Sequence, residues 1–280
     1  MLNKAGIKIL CFALALVVAS PAMAQKGSLF IIGGGDRSAA LIQSLVKTAD
    51  MGPKDYMIVL PMSSGEPKAS YETIKKQLNA ASKNNVGCLN FDASTANDKK
   101  WLDSLTGAKL IFITGGDQSR FMKIVLNTPV YTAIHKAYKD GATIAGTSAG
   151  AAVMSRYMIT GKQLLDTVYK ETFNKLWAKN IEFEEGMGLL DSVIIDQHFL
   201  KRSRFNRLIS ALTAYPGYQC IGIDEGTAII VHRKKVTVAG VSQVLKISDP
   251  VNLRTNGKQL IKMDDLRFSL YTEADQFTLK

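Results

Sequence analysis

The sequence predicts an α/β fold: a three-layer, doubly wound, mostly parallel sheet with antiparallel hairpins at its C-terminal end. Two observations carry this. Short apolar runs take turns with amphipathic helical stretches from residue 28 to residue 212, the pattern of a parallel sheet covered on both faces. Beyond residue 219, closely spaced apolar runs are broken by turn and charged residues, the pattern of hairpins.

The first predicted strand, residues 26–32, enters Gly33-Gly34-Gly35-Asp36-Arg37-Ser38, and a helix follows over 38–47. Strands are expected at 57–60, 88–91 and 109–113, with helices at 71–82, 99–105 and 128–138. The strand at 109–113 runs into Thr114-Gly115-Gly116-Asp117-Gln118-Ser119-Arg120, and glycines at a strand's carboxyl end let the backbone approach a ligand. Residues 161–185 are polar and mixed and take no assignment; they read as an excursion over the site. A strand at 192–196 leads to Gln197-His198-Phe199 and a basic helix over 203–212. Strands at 220–224, 227–231, 236–239 and 243–247 follow, with Arg233-Lys234-Lys235 at a turn, and 266–272 adds an edge strand. No linker, repeat or low-complexity tract interrupts residues 25–280, which are read as one domain.

Residues 1–24 are read as a signal peptide rather than part of the fold. Lys4 and Lys8 precede an apolar run over 9–18, and Ala22-Met23-Ala24 supplies a cleavage site of small residues. The run is too short to span a bilayer, so the expectation is a secreted or periplasmic protein without a stable membrane anchor. Cys88 and Cys220 then remain, either as thiols or as one disulfide. The formal charge of +11 could signal nucleic acid. The lysines are spread along the chain, however, and the compact basic cluster at 202–207 follows a histidine, so a local substrate role is favoured. Oligomeric state, including a homodimer, is left open.

Gly146-Thr147-Ser148-Ala149-Gly150 is a nucleophile-elbow pattern. Glycines on either side let strand turn tightly into helix and leave the serine hydroxyl exposed at the helix start. The Ala149 N–H and the helix dipole would both favour negative charge on a bound carbonyl oxygen. A serine nucleophile needs a base, and there are three histidines. His135 sits mid-helix, and His232 precedes three cations, which leaves His198 at the end of a buried strand. The orienting carboxylate is sought among Asp166, Glu171, Glu182, Glu184, Glu185, Asp191 and Asp196, between elbow and base; Asp166 is preferred and Glu171 second.

Other chemistries fit less well. Gly33-x-Gly35 lacks the third glycine of a dinucleotide fingerprint, and no acidic residue ends the next strand to hold a ribose. There is no His-x-His, His-Glu-x-x-His or paired-cysteine spacing for zinc, so no metal or other cofactor is expected.

Five blocks in order resemble cyanophycinase and the wider S51 serine peptidase family: residues 26–37, Thr114 to Gln118, Gly146 to Met154, Asp196 to Phe199 with Arg202, Arg204 and Arg207, and Gly222 to Ala228. The resemblance implies a fold like the class I glutamine amidotransferases, flavodoxin-like, with serine in place of their cysteine. It implies hydrolysis of β-aspartyl peptide linkages, releasing β-Asp-Arg dipeptides from a poly-aspartate chain bearing arginine side groups. Ser148 would be the nucleophile, His198 the base and later acid, and Asp166 or Glu171 the orienting carboxylate. The oxyanion hole would come from Ala149 and from Gly115 or Gly116. Substrate contacts would fall to Gln118, Asp196, Gln197, Arg202, Arg204 and Arg207, with Asp196, Asp224 or Glu225 able to accept a substrate guanidinium. The implied partner is a peptide or polymer containing aspartate and arginine. A dipeptidase acting on short aspartyl peptides and a non-catalytic secreted binding protein are the competing readings.

Overall fold

The computed structural model describes residues 27–165 and 175–280. In chain order, the first half contains β1 (Ser28–Ile32), α1 (Ala39–Ala49), β2 (Tyr56–Leu60), α2 (Pro67–Ala81), β3 (Asn85–Cys88) and α3 (Lys99–Thr106). β4 (Leu110–Ile113), α4 (Gln118–Val125), α5 (Pro129–Lys139), β5 (Thr143–Thr147) and the single-turn α6 (Ala149–Ala152) complete it. The second half contains β6 (Tyr157–Gln163), β7 (Ile181–Glu185), β8 (Val193–Gln197), α7 (Phe205–Ala214) and β9 (Gln219–Ile223). It ends with β10 (Thr227–His232), β11 (Lys235–Gly240), β12 (Val244–Val251), the short β13 (Arg254–Thr255) and β14 (Ile261–Lys262), β15 (Asp265–Tyr271) and β16 (Gln276–Thr278).

The main sheet has eight strands in the order β16-β11-β10-β1-β5-β4-β2-β3. The five strands from β1 to β3 in that order run parallel. β10, β11 and β16 extend the sheet antiparallel. Alternate residues of each parallel strand serve opposite cores. Leu29, Ile31, Ile58, Leu60, Ile111 and Ile113 pack on one face, and Phe30, Ile32, Met57, Val59, Leu110 and Phe112 on the other. Burying both faces explains why these strands read as unbroken apolar runs.

β8 and β9 pair in parallel, as their runs suggest, but in a second sheet of order β15-β12-β9-β8. A wholly buried run is legible as a strand while carrying no record of its neighbour. The edge strand expected at 266–272 is present as β15, antiparallel to β12. A third apolar cluster, including Ile194, Phe199, Leu208, Cys220 and Leu245, seats α7 on this second sheet. Cys220 is a buried free thiol and Cys88 is also free, so the disulfide alternative does not arise.

Three local differences have physical reasons. The strand expected at 88–91 lies at 85–88, because an edge strand with no fully buried residue leaves little apolar signal. α4 was not anticipated: its first turn, Gln118-Ser119-Arg120, is polar, yet the Asp117 side chain caps it by accepting from the Arg120 N–H. Part of 161–185 forms the antiparallel ribbon of β6 and β7.

What gathers the site is the glycine turn after β1. Consecutive carbonyls of Ile32, Gly33 and Gly34 accept hydrogen bonds from the N–H groups of Ser148 (3.1 Å), His198 (2.7 Å) and Gly226 (2.9 Å). Three segments distant in sequence and drawn from both sheets are thereby fastened to one strand end.

Candidate active site

Ser148 sits between β5 and α6 with φ 52° and ψ −109°, a strained conformation for a residue with a side chain. The flanking glycines make this turn possible. A Cβ on Gly146 would lie 2.1 Å from the Gly150 carbonyl oxygen, and one on Gly150 would lie 2.3 Å from that of Ile113. The strain holds the hydroxyl out at the carboxyl rim of the sheet, as a nucleophile elbow requires.

His198 follows β8 and also has positive φ, 50°. That turn ends the strand's alternation, so His198 does not share a face with Asp196 as a continued strand would have it. Its Nε2 lies 2.8 Å from Ser148 Oγ, and its Nδ1 lies 2.6 Å from Glu225 Oε1. Burial pulls the imidazole pKa below the ordinary value of 6.5; the bond to Glu225 opposes this, and Arg202 and Arg204 add to it. The ring lies against the glycine turn, where a Cβ on Gly34 would come within 2.3 Å of His198 Cε1. The same turn that looked like a weak nucleotide fingerprint is the bed of the imidazole. The other histidines lie elsewhere. His135 Nε2 is 2.7 Å from the Met187 carbonyl, and His232 Nδ1 is 3.2 Å from Ser28 Oγ.

The carboxylate bonded to His198 is Glu225, expected from the sequence as an acceptor for a substrate guanidinium; Asp166 and Glu171, expected in the orienting role, lie outside the described residues. Glu225 follows His198 in the chain, beyond the stretch between elbow and base. Parallel pairing of β8 with β9, which the runs themselves do not record, sets Gln197 opposite Ile223 and brings Glu225 out beside His198.

Several residues expected to meet substrate are bonded inside the protein. Asp196, with no exposed side-chain surface, takes Arg207 in a two-point ion pair, with Nε 2.8 Å from Oδ2 and NH2 against Oδ1. Asp224 accepts from the Lys201 N–H at 2.9 Å and from Ser242 Oγ at 2.7 Å. Arg204 packs alongside, its NH1 3.5 Å from Asp196 Oδ1 and bonded to the side-chain oxygen of Gln197. Gln118 donates both amide protons to the β6 carbonyls of Ile159 (2.8 Å) and Thr160 (2.6 Å), which fixes its orientation.

A cavity of about 450 Å³ is bounded by Gly116, Gln118, Ser148, Gln197, Arg202, Arg204 and Arg207. Its character is cationic and polar. Gly115 also closes on Ser148, with its Cβ position 3.4 Å from Ser148 Cβ. Ala149 opens α6, so its N–H has no partner in a preceding turn and lies beside Ser148. Among the described residues, no three His, Cys, Asp or Glu side chains come together to hold a metal ion.

An α/β fold with a serine on a strained elbow, an imidazole on its hydroxyl and a carboxylate behind the imidazole has the layout of a serine-type hydrolase. The chain belongs to peptidase family S51, whose family model matches residues 29–239. It is 31% identical to a cyanophycinase of Nostoc sp. over 270 residues, 91% of this chain and 87% of that protein. It is 28% identical to a cyanophycinase of Geminocystis herdmanii over 268 residues, 91% of this chain and 94% of that protein. The crystal structure of a peptidase from an acI-B1 Actinobacterium shares the fold, with a TM-score of 0.67 at 20% identity, covering 92% of this chain and 98% of that one. The chain is thus a serine-type peptidase.

Proposed function

We propose that this peptidase cleaves the aspartyl peptide bonds of the cyanophycin backbone, releasing β-Asp-Arg dipeptides whose β linkage stays intact, and that Ser148, His198 and Glu225 carry the chemistry. The observation that carries the reading is the unbroken line from Glu225 through His198 to Ser148, at 2.6 and 2.8 Å, beside a cavity walled by three arginines. Glu225 holds the imidazole with its proton on Nδ1 and Nε2 free to accept. Ser148 Oγ attacks the carbonyl carbon as its proton passes to Nε2, and the developing oxyanion meets the N–H groups of Ala149 and of Gly115 or Gly116. The C–N bond breaks as Nε2 returns the proton to the leaving nitrogen. Water then enters along the same route, releasing the acyl group and restoring the serine.

The arginines suit a substrate rich in carboxylates, because a guanidinium binds a carboxylate at two points. Asp196 supports this by holding Arg207 in place. The apolar, lysine-flanked N-terminal stretch further favours an exported enzyme that meets polymer outside the cell. The test is to incubate the purified protein separately with cyanophycin and with Asp-X dipeptides. Release of β-Asp-Arg from the polymer supports the proposal; turnover of dipeptides alone would replace it with the dipeptidase reading; binding without turnover would favour a binding protein.

A further inference from the structure

Ser148 stands on the ridge between two cavities. The arginine cavity lies on one side. On the other is a cavity of about 340 Å³ whose walls include Gly34, Arg37, Gly115, Thr147 and His198, as well as Ser148 itself. A carbonyl carbon under attack carries two chains, the acyl part and the leaving amine, and each must lie to one side of the nucleophile. His198 lines the second cavity and is absent from the walls of the first. The leaving nitrogen must take its proton from His198, so the second cavity is the leaving-group side.

The charge in that cavity is one-sided. Arg37 is the single permanently charged residue on its walls, and no carboxylate lines it. The guanidinium is held by Nε donating to Gln77 Oε1 of α2 at 2.9 Å, while the bond from NH1 to the Gly35 carbonyl is long at 3.5 Å. Next to the nucleophile, the Thr147 hydroxyl is buried without a hydrogen-bond partner at the wall of the same cavity. A fixed cation on walls that carry no carboxylate selects an anion.

On the reading of this chain as a Ser148 hydrolase, we propose that Arg37 is a specificity-determining residue that binds a carboxylate on the leaving amine unit. The preferred leaving unit is thus an amino acid or aspartyl peptide carrying a free carboxylate close to the new amine. Gln77 is a positioning residue for the guanidinium.

Two substrates with the same aspartyl acyl group test this, one leaving as a carboxylate-bearing amino acid and its twin as the corresponding carboxamide. Wild type is expected to prefer the carboxylate. Arg37→Gln is expected to lower the ratio of kcat/KM between the two by about 10- to 100-fold, mainly through KM, with Arg37→Lys recovering part of it. A ratio that Arg37→Gln leaves unchanged would overturn the proposal, whether or not both rates fall together. If wild type cleaves neither, the hydrolase reading is what has failed. Calorimetry with Ser148→Ala and Ser148→Ala/Arg37→Gln, using the same two peptides, then decides the Arg37 claim. Selective weakening toward the carboxylate peptide supports it, and equal binding by both proteins refutes it.

Discussion

Glu225 Oε1 lies 2.6 Å from His198 Nδ1, although the two residues come from turns after neighbouring strands of the second sheet. The pairing fixes which imidazole nitrogen faces Ser148. Glu225→Gln keeps the shape but removes the charge that stabilises the imidazolium, and kcat is expected to fall about 1,000- to 10,000-fold with little change in KM. Steady-state kinetics of the purified variant checks this. A loss under tenfold would mean that another group orients the ring.

The pH profile has a definite sign. Burial, Arg202 and Arg204 lower the His198 pKa, so the base stays neutral below pH 6.5, and the acid limb of kcat/KM is expected below that value. Arg202→Ala removes one lowering influence and should move the limb to higher pH. Glu225→Gln removes a raising influence and should move the residual activity's limb lower. Limbs that stay fixed in both variants would show that another group controls the ionisation.

Gly34 is expected to tolerate no side chain. Its φ is 115°, and a Cβ there would sit inside contact distance of three atoms of the His198 ring. Gly34→Ala should displace the imidazole and reduce kcat by at least 100-fold, with the circular dichroism spectrum close to wild type. Near-normal kcat would contradict the packing described.

Asp196→Ala should be a stability variant first. Arg204 and Arg207 are only 4% and 7% exposed, and the substitution removes the buried carboxylate that faces them both. The expected cost is about 3–5 kcal/mol, read as a lower denaturant midpoint with an unchanged slope. A change below 1 kcal/mol would show that Asp196 does not hold the cluster.

Much of this was legible in the residues, for reasons that also mark the limit. Strands such as Leu110-Ile111-Phe112-Ile113 announce themselves because both their faces are buried. The elbow at Ser148 is legible because its turn demands glycine on either side. His198 could be reached by elimination, since only three histidines exist. Glu225 could not be reached by counting along the chain, because its partnership with His198 is set by sheet pairing between β8 and β9 rather than by spacing. Asp196 was legible as a site residue but not by role: its sequence position does not reveal that Arg207 occupies it from the following helix. The glycine turn at 33–35 is legible as a tight turn but not by its occupant, since room for an imidazole and room for a phosphate demand the same residue.

The account rests on the Ser148 hydroxyl as nucleophile, and the most direct test compares wild type with Ser148→Ala on cyanophycin, measuring released β-Asp-Arg. The expected result is a fall in kcat of at least about 10,000-fold, with polymer binding retained. Dipeptide release within tenfold of wild type would contradict it.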